Sequence, residues 1–317
     1  MLYPFEKLLY FKRITSFLRF VFKYLKTVQT IVINIEIMFS LSKTQHNLSI
    51  SWNDQQVLGY NFPEDGNRPF CHPLNLPGAP ALTMNEPGDH VHHQGLWVAW
   101  KKVNDVNFWE QPTPGSDPTG FGKIVHQRIA SLKTDQSSAS IASENAWVDW
   151  QGDTHLTEQR HITVHTPSDK TMQISVSLSL HPNDREVVLD LRRGEPGADG
   201  RFYSGMAIRF DNVITPGNLL DADGRTEPMD IFGKQSKWCS FTTQHPDDNE
   251  TYGVAIVDHP DNPRYPTTWW VRNRQNYCLI HPSPVYYEPF HLASDESLRL
   301  QYRVVLYRGQ PDQMYFE

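Results

Sequence analysis

Residues Thr171 to Leu180 read TMQISVSLSL, and Met172, Ile174, Val176, Leu178 and Leu180 alternate there with Gln173, Ser175, Ser177 and Ser179. A period of two gives one buried face and one wet face, so the segment predicts a half-buried β-strand. Runs of the same kind occupy 46–52 (HNLSISW), 123–132 (KIVHQRIASL), 186–191 (EVVLDL), 252–258 (YGVAIVD) and 298–307 (LRLQYRVVLY). Turn formers punctuate them at Glu64-Asp65-Gly66-Asn67, Pro182-Asn183-Asp184, Gly197-Ala198-Asp199-Gly200 and Asp221-Ala222-Asp223-Gly224. No window after residue 45 holds a sustained helical period. The pattern predicts an all-β chain, a large antiparallel β-sandwich.

Proline and glycine are spread along the strand region, with no low-complexity linker and no internal repeat. Residues 45–317 are therefore expected to form a single β-domain. Residues 1–44 differ: Lys7, Lys12, Arg13, Arg19, Lys23 and Lys26 interrupt the apolar positions too often for a membrane span. Glu36 within the apolar section, and no small-residue cleavage site after it, argue against a signal peptide. A basic amphipathic helix on a membrane surface fits the composition. The preferred expectation is a non-core extension, with Met38 as an alternative start.

The formal net charge of -7 excludes a phosphate backbone as the natural partner, so no nucleic acid is expected. Cys71, Cys239 and Cys278 are odd in number and lack metal-ribbon spacing, which points to a reducing, cytoplasmic setting. The 9 Trp and 13 Tyr suit strands and carbohydrate platforms alike.

Candidate chemistry concentrates in three stretches. DHVHHQGLWVAW (89–100) sets Asp89, His90, His92 and His93 before an apolar run. If Asp89–Trp97 is extended, His90 and His92 share one face while Asp89, His93 and Trp97 share the other. His-x-His on a strand can ligate a divalent metal ion, with His291, Glu288, His281 or His259 as the third ligand. DHPDNPRYPTTWWVR (258–272) is a proline-stiffened loop presenting His259, Arg264, Trp269 and Arg272, apt for a sugar or carboxylate. In VYYEPFHL (285–292), rings flank Glu288, a setting that raises a carboxyl pKa and suits acid–base work. No P-loop, G-x-S-x-G, H-E-x-x-H or dinucleotide fingerprint occurs.

The series DHVHHQGLWVAWKKVNDVNFWE, GKIVHQR, GVAIVDHPDNPRYPTTWWVR and SLRLQYRVVLYRG resembles a bacterial domain family of unknown function, DUF6807, labelled methane oxygenase PmoA-like. The resemblance covers roughly residues 50–310. Gln94 departs from it, since the family often has Arg after the paired histidines. The label names a membrane-embedded subunit, whereas nothing after residue 45 is apolar for long enough to span.

An early His motif followed by a late Glu-Pro before the final strand is more distantly similar to the aldose 1-epimerases of the galactose mutarotase-like superfamily. That resemblance implies a β-supersandwich with His92 or His93 as general acid and Glu288 as general base. In such a site Trp97, Trp109 and Trp269 would stack on a sugar, and Asp89, His90, His259, Arg264 and Arg272 would fix its hydroxyls or a uronate. The leading expectation is thus a cofactor-free enzyme acting on a small carbohydrate, of epimerase, lyase or hydrolase type. The alternatives are a metal-dependent enzyme, oxygenase or metal lyase, using His90, His92 and His291, and a non-catalytic sugar-binding module.

Overall fold

In a computed structural model that describes residues 38–191 and 203–316, the alternation along β10 (Thr171–Pro182) is realised position by position. Its even-numbered side chains are buried and its odd-numbered ones are partly exposed. On either side it pairs antiparallel with β9 (Thr154–His165) and β19 (Leu298–Arg308). These three strands are the centre of an eight-stranded sheet. That sheet continues through β15 (Thr251–Asp258), β14 (Trp238–Gln244) and β13 (Asn218–Asp221) beyond β19, and through β8 (Ser138–Asp149) and β7 (Gly122–Thr134) beyond β9.

The other eight-stranded sheet has the order β1 (Phe39–Lys43), β2 (Asn47–Trp52), β3 (Gln55–Asn61), β4 (Phe70–Leu74), β5 (Leu96–Trp100), β12 (Ser204–Arg209), β17 (Tyr277–Pro282), β16 (Trp269–Arg274). A small third sheet joins β18 (Phe290–Leu292), β11 (Val187–Asp190) and β6 (Lys102–Val103). Every pairing in these sheets is antiparallel, and the one α-helical turn among the described residues is α1 (Pro228–Ile231). All six runs read as strands are strands, and the fold is the large antiparallel β-sandwich expected.

Contacts between the layers show which faces meet. Trp100 lies against Trp147 of β8 with ring centroids 6.1 Å apart, and the Tyr60 hydroxyl is 2.9 Å from that of Ser143. Trp100 therefore points between the sheets, and Trp97 points to the outer face of the sheet that holds β5, the first in chain order, the sheet that holds β10 being the second. Along β12 and β17 the same outer face takes Arg209, Tyr277 and His281. That face is roofed by loops, whereas the outer face of β10 is wet.

One boundary differs from expectation. Phe39–Lys43 falls within the stretch assigned to the extension, yet it pairs residue for residue with Leu48–Trp52 of β2. Phe39 is buried and its ring lies 4.6 Å from that of Trp52, so apolar packing recruits it into the sheet. The compact unit runs Met38–Glu317. The rest of the extension, with its amphipathic reading, and the turn expected at Gly197–Gly200 lie outside the described residues. Among the described residues no helix is long and apolar enough to cross a membrane.

The alternation makes a direct claim about stability. Leu178→Ala should cost about 2–5 kcal/mol, because it empties a fully buried position in a rigid layer. Ser177→Ala, one residue away on the wet face, should stay within about 0.5 kcal/mol. Urea unfolding of the two variants checks this, and equal losses would refute the assignment of faces.

Candidate functional site

The segment before β5 is not extended. His90 N–H donates to Pro87 O at 2.9 Å, His93 N–H to His90 O at 2.9 Å, and Glu86 N–H to His93 O at 2.8 Å. Two successive turns result, and the strand starts only at Leu96. Pro87-Gly88-Asp89 is the local cause, since proline and glycine initiate turns that an alternating pattern does not carry. Gly95 then adopts φ +60°, and a Cβ there would sit 2.2 Å from the Cys71 carbonyl oxygen, so the close approach of β4 demands glycine. The expectation that His90 and His92 share one face and His93 the other is therefore corrected: the turns gather all three imidazoles.

Their ring centroids lie 4.7 Å apart for His90 and His93, 4.6 Å for His92 and His93, and 5.6 Å for His90 and His92. His93 stacks in turn on Trp97, at 5.1 Å and an interplanar angle of 23°. The result is a column from the outer face of β5 to the surface, with His93 buried, His92 half-buried and His90 partly exposed.

Two buried guanidiniums frame this column. Arg209, fully buried at the end of β12, donates through Nη2 to Asn212 Oδ1 at 2.8 Å and to Asn276 O at 3.0 Å. The same Nη2 lies 3.4 Å from both Asp89 carboxylate oxygens, and Nη1 lies 3.3 Å from His93 Nδ1. A guanidinium only donates, so His93 Nδ1 accepts and the ring is neutral. His90 Nδ1 is 2.9 Å from Asp89 Oδ2, and the carboxyl of Asp89 is held below its ordinary range, with burial opposing and His90 and Arg209 prevailing. Arg209 also sits 4.1 Å over the Tyr277 ring.

Arg68 works on the other side. Its Nη1 donates to His92 O at 3.1 Å and its Nη2 to Trp109 O at 2.5 Å, tying the histidine loop to the loop that carries Glu110. Burial lowers the Arg68 pKa to about 9. Lys101, itself buried, forms an ion pair with Glu110, which also accepts from Asn107 Nδ2 at 2.7 Å. Asn107 Oδ1 in turn takes the Trp109 and Glu110 backbone N–H groups, fixing that turn. Burial works against the charge on Glu110, but Lys101 and Asn107 hold its carboxyl below the ordinary range.

These surroundings set the protonation of the imidazoles. Burial first, then the Arg68 charge, push the His92 pKa down to about 3, with Glu110 pulling the other way. His93 is driven down further by burial and by the adjacent histidines and arginines. His92 is thus a neutral, half-buried imidazole within electrostatic reach of the Glu110 carboxylate and of the Arg68 and Lys101 cations.

The other residues singled out in the sequence lie elsewhere or play other parts. Trp97, Trp109 and Trp269 are each 0% exposed, so they offer no face to a sugar. Trp97 and Trp109 floor the histidine column, with Trp109 stacked on Tyr203 at 5.0 Å, while Trp269 donates its indole N–H to Ser236 O at 2.8 Å. Arg264 donates to Pro284 O and Pro289 O, both at 2.8 Å, and lies 3.8 Å over the Phe290 ring, which holds the loop before β18. Glu288 on that loop is 72% exposed, and its carboxylate is 3.6 Å from Arg264. Among the described residues no hydrogen bond or ion pair joins Glu288 to the histidines.

Arg272 is exposed and lies 5.4 Å from the Trp270 ring. His281, fully buried, lies between Trp270 and Trp109. His291 is 3.3 Å from Glu186 on the small sheet, and His259 is beside Asp261 at the end of β15, in the second sheet. Among the described residues no three His, Cys, Asp or Glu side chains are grouped so as to hold a metal ion. The set His90, His92 and His291 is therefore not assembled here.

Four charged residues of the site escaped sequence reasoning: Arg68, Lys101, Glu110 and Arg209. Arg209 had a signal, being the lone charge that ends an apolar run (GMAIRF). Lys101 beside Lys102, and Glu110 before Gln111-Pro112, look like ordinary surface residues in the sequence.

The profile of a family of unknown function, DUF6807, matches residues 47–316. The chain belongs to this family. No curated protein matches it. Among solved structures, a candidate mutarotase (YeaD) from Salmonella typhimurium is similar at 10% identity and a TM-score of 0.35, covering 86% of this chain and 94% of that one. A heparinase III is similar at 8% identity and a TM-score of 0.31, over 84% of this chain and 30% of that one. A candidate kojibiose phosphorylase from the human microbiome is similar at 8% identity and a TM-score of 0.30, over 88% of this chain and 35% of that one.

Neutral buried imidazoles make the stability of this DUF6807 chain depend on pH with a definite sign. Unfolded, these histidines titrate near the usual value of about 6.5. Folded, His92 and His281 titrate only near about 3. Between those limits the unfolded chain binds more protons, so stability present above the upper limit is lost as pH falls toward the lower one. Urea midpoints should decline on acidification through this window, and His92→Asn should flatten the slope. A wild-type midpoint that does not move across the window would refute the burial of neutral rings.

Proposed function

We propose that this chain is a carbohydrate-active enzyme that moves a proton without a cofactor, of epimerase or lyase type, with His92 as the proton acceptor. The observation that carries the reading is the neutral, half-buried imidazole of His92 within electrostatic reach of Arg68 and the Lys101–Glu110 pair. A neutral ring accepts a proton, so the role of base passes to His92. Fixed cations around it favour the negative charge left on the substrate when that proton departs. Glu110, which favours the protonated form of His92, steadies the imidazolium while it lasts.

When His92 takes the proton from the carbon beside the carbonyl of an open-chain sugar, an enediolate is left, and a proton delivered from solvent to its opposite face epimerises the centre. Alternatively, the proton stays on the enzyme while a leaving group departs, which completes an elimination. A polyhydroxylated substrate suits the mouth of the site, where Asp89 and Glu110 accept hydrogen bonds and His90 and Asn276 add further polar groups. The solved structures named above carry names drawn from sugar chemistry, and the same substrate class is proposed for this chain.

Aldoses, ketoses and uronates incubated with the enzyme in deuterium oxide should reveal the substrate by exchange of a carbon-bound hydrogen or by a changed anomeric or epimeric ratio in proton NMR. His92→Asn should lower that rate by about 10²–10⁴, and Glu110→Gln should also slow it. Glu288→Gln should leave it within about twofold. If Glu288→Gln abolished turnover while His92→Asn spared it, the assignment would fall. If chelation abolished turnover and added metal restored it, the cofactor-free mechanism would fall. Sugar binding without any turnover would leave a binding module instead.

A further inference from the structure

The wet face of β10 floors a hollow of 670 Å³ on the outer side of the second sheet, away from the histidine column. In the register of the strands Ser177 stands between His161 on β9 and Gln301 on β19, and Ser175 stands between Thr163 and Arg303. At about 4.8 Å between strands, two such rungs make a floor about 10 Å across, the breadth of one sugar ring with its hydroxyls. The serines are short and their flanking partners longer, so the floor is a trough rather than a plane.

Two walls close the trough. Trp238 and Phe316, with ring centroids 4.6 Å apart, form one, and the loop after β15 brings His259 and Tyr265 to the other. Positive charge comes from Lys237 and from Arg303, whose Nη2 holds the Phe316 carbonyl at 2.7 Å and is thereby fixed in place. Lys237 is exposed, and among the described residues it makes no ion pair. The carboxyl of the lining, Asp258, is 3% exposed and turned to the protein, accepting from Asn262 Nδ2 and the Thr267 N–H, each at 2.7 Å. Tyr302 also belongs to the lining, and its buried hydroxyl has no hydrogen-bond partner among the described residues, an unusual state for a folded interior.

We propose that this trough is a second binding site, for an acidic monosaccharide unit: the serines, Thr163, His161 and Gln301 take the ring hydroxyls, and Lys237 with Arg303 faces the carboxylate. The placement does not depend on the chemistry assigned to His92. It gives His259, expected from the sequence to join the early histidines, a role on the opposite face of the sandwich.

The test is calorimetric titration of the full chain with D-glucuronate, using D-glucose as the neutral comparison. Glucuronate should bind wild type and His92→Asn alike, and more weakly as salt is raised. Ser177→Trp, which fills the floor on a strand that tolerates a large ring, should raise the Kd about tenfold or more. Lys237→Glu should raise it about threefold or more. An unchanged Kd in a Ser177→Trp protein with the wild-type melting temperature overturns the site. So does an absence of glucuronate binding to wild type at tens of millimolar. Glucose binding as well as glucuronate overturns the acidic preference, and loss of binding in His92→Asn would move the ligand to the histidine column.

Discussion

A guanidinium taken out of water must have its charge answered and its N–H groups bonded, and Arg68 meets part of that demand with carbonyls at Nη1 and Nη2 and with the charge of Glu110. Its two bonds, to His92 O and Trp109 O, join the turns before β5 to the loop after it. The next residue is held from across the sandwich, because Arg160 of β9 donates through Nη1 to Pro69 O at 3.0 Å. Arg160 is itself paired with Glu158, which also accepts from Asn145 and the Trp147 indole. One continuous polar chain thus runs from the second sheet, through residues 68 and 69, to the carbonyl of His92. The backbone that bears the imidazole is held from the interior of the protein as well as by its own turns.

The same desolvated cations decide what the histidines can do. His92 and His93, beside Arg68 and Arg209, cannot gain protons without adding like charge to a region already short of water. They remain neutral over the ordinary pH range, and neutrality makes them acceptors. A histidine motif viewed alone suggests an acid as readily as a base, and the surrounding cations favour the neutral ring at His92 and His93. Asp89 and Glu110 are not rivals for the proton, since the carboxyl of each is held below its ordinary range by its neighbours, His90 and Arg209 in one case and Lys101 in the other.

How far the sequence could be read follows from the range of the interactions involved. Alternation is local, so β10 and the other strands were legible, and so was a sandwich made from them. The turns of Pro87-Gly88-Asp89 were also written locally but were outweighed by the apolar run that follows, which led to an extended reading of Asp89–Trp97. The partners of the site were not legible. Arg209 meets Asp89 across 120 positions of chain, and Arg68 meets His92 across 24. Neither separation leaves a period or spacing to read. Glu288 looked like a site residue because rings surround it in sequence, yet in space it leans on Arg264 at the surface.

Burial patterns nevertheless held a clue to which strands of their sheet carry the histidine column. β5, β12 and β17 are buried at every position, whereas β10 alternates throughout. A strand buried on both faces needs a cover on each, and an antiparallel sheet that leaves one face to water needs only one. LWVAW, SGMAIR and YCLIHP are near-continuous apolar runs, so their sheet had to be roofed by something other than the opposite layer. The roof is the set of loops bearing the histidines, Trp109, Glu110 and the 283–290 segment. Polar groups drawn under such a roof lose water and must find partners or stay neutral. On β5, β12 and β17 the missing alternation therefore marks a face where charge is desolvated and pKa values move, whereas on β10 the alternation marks a face left open to water.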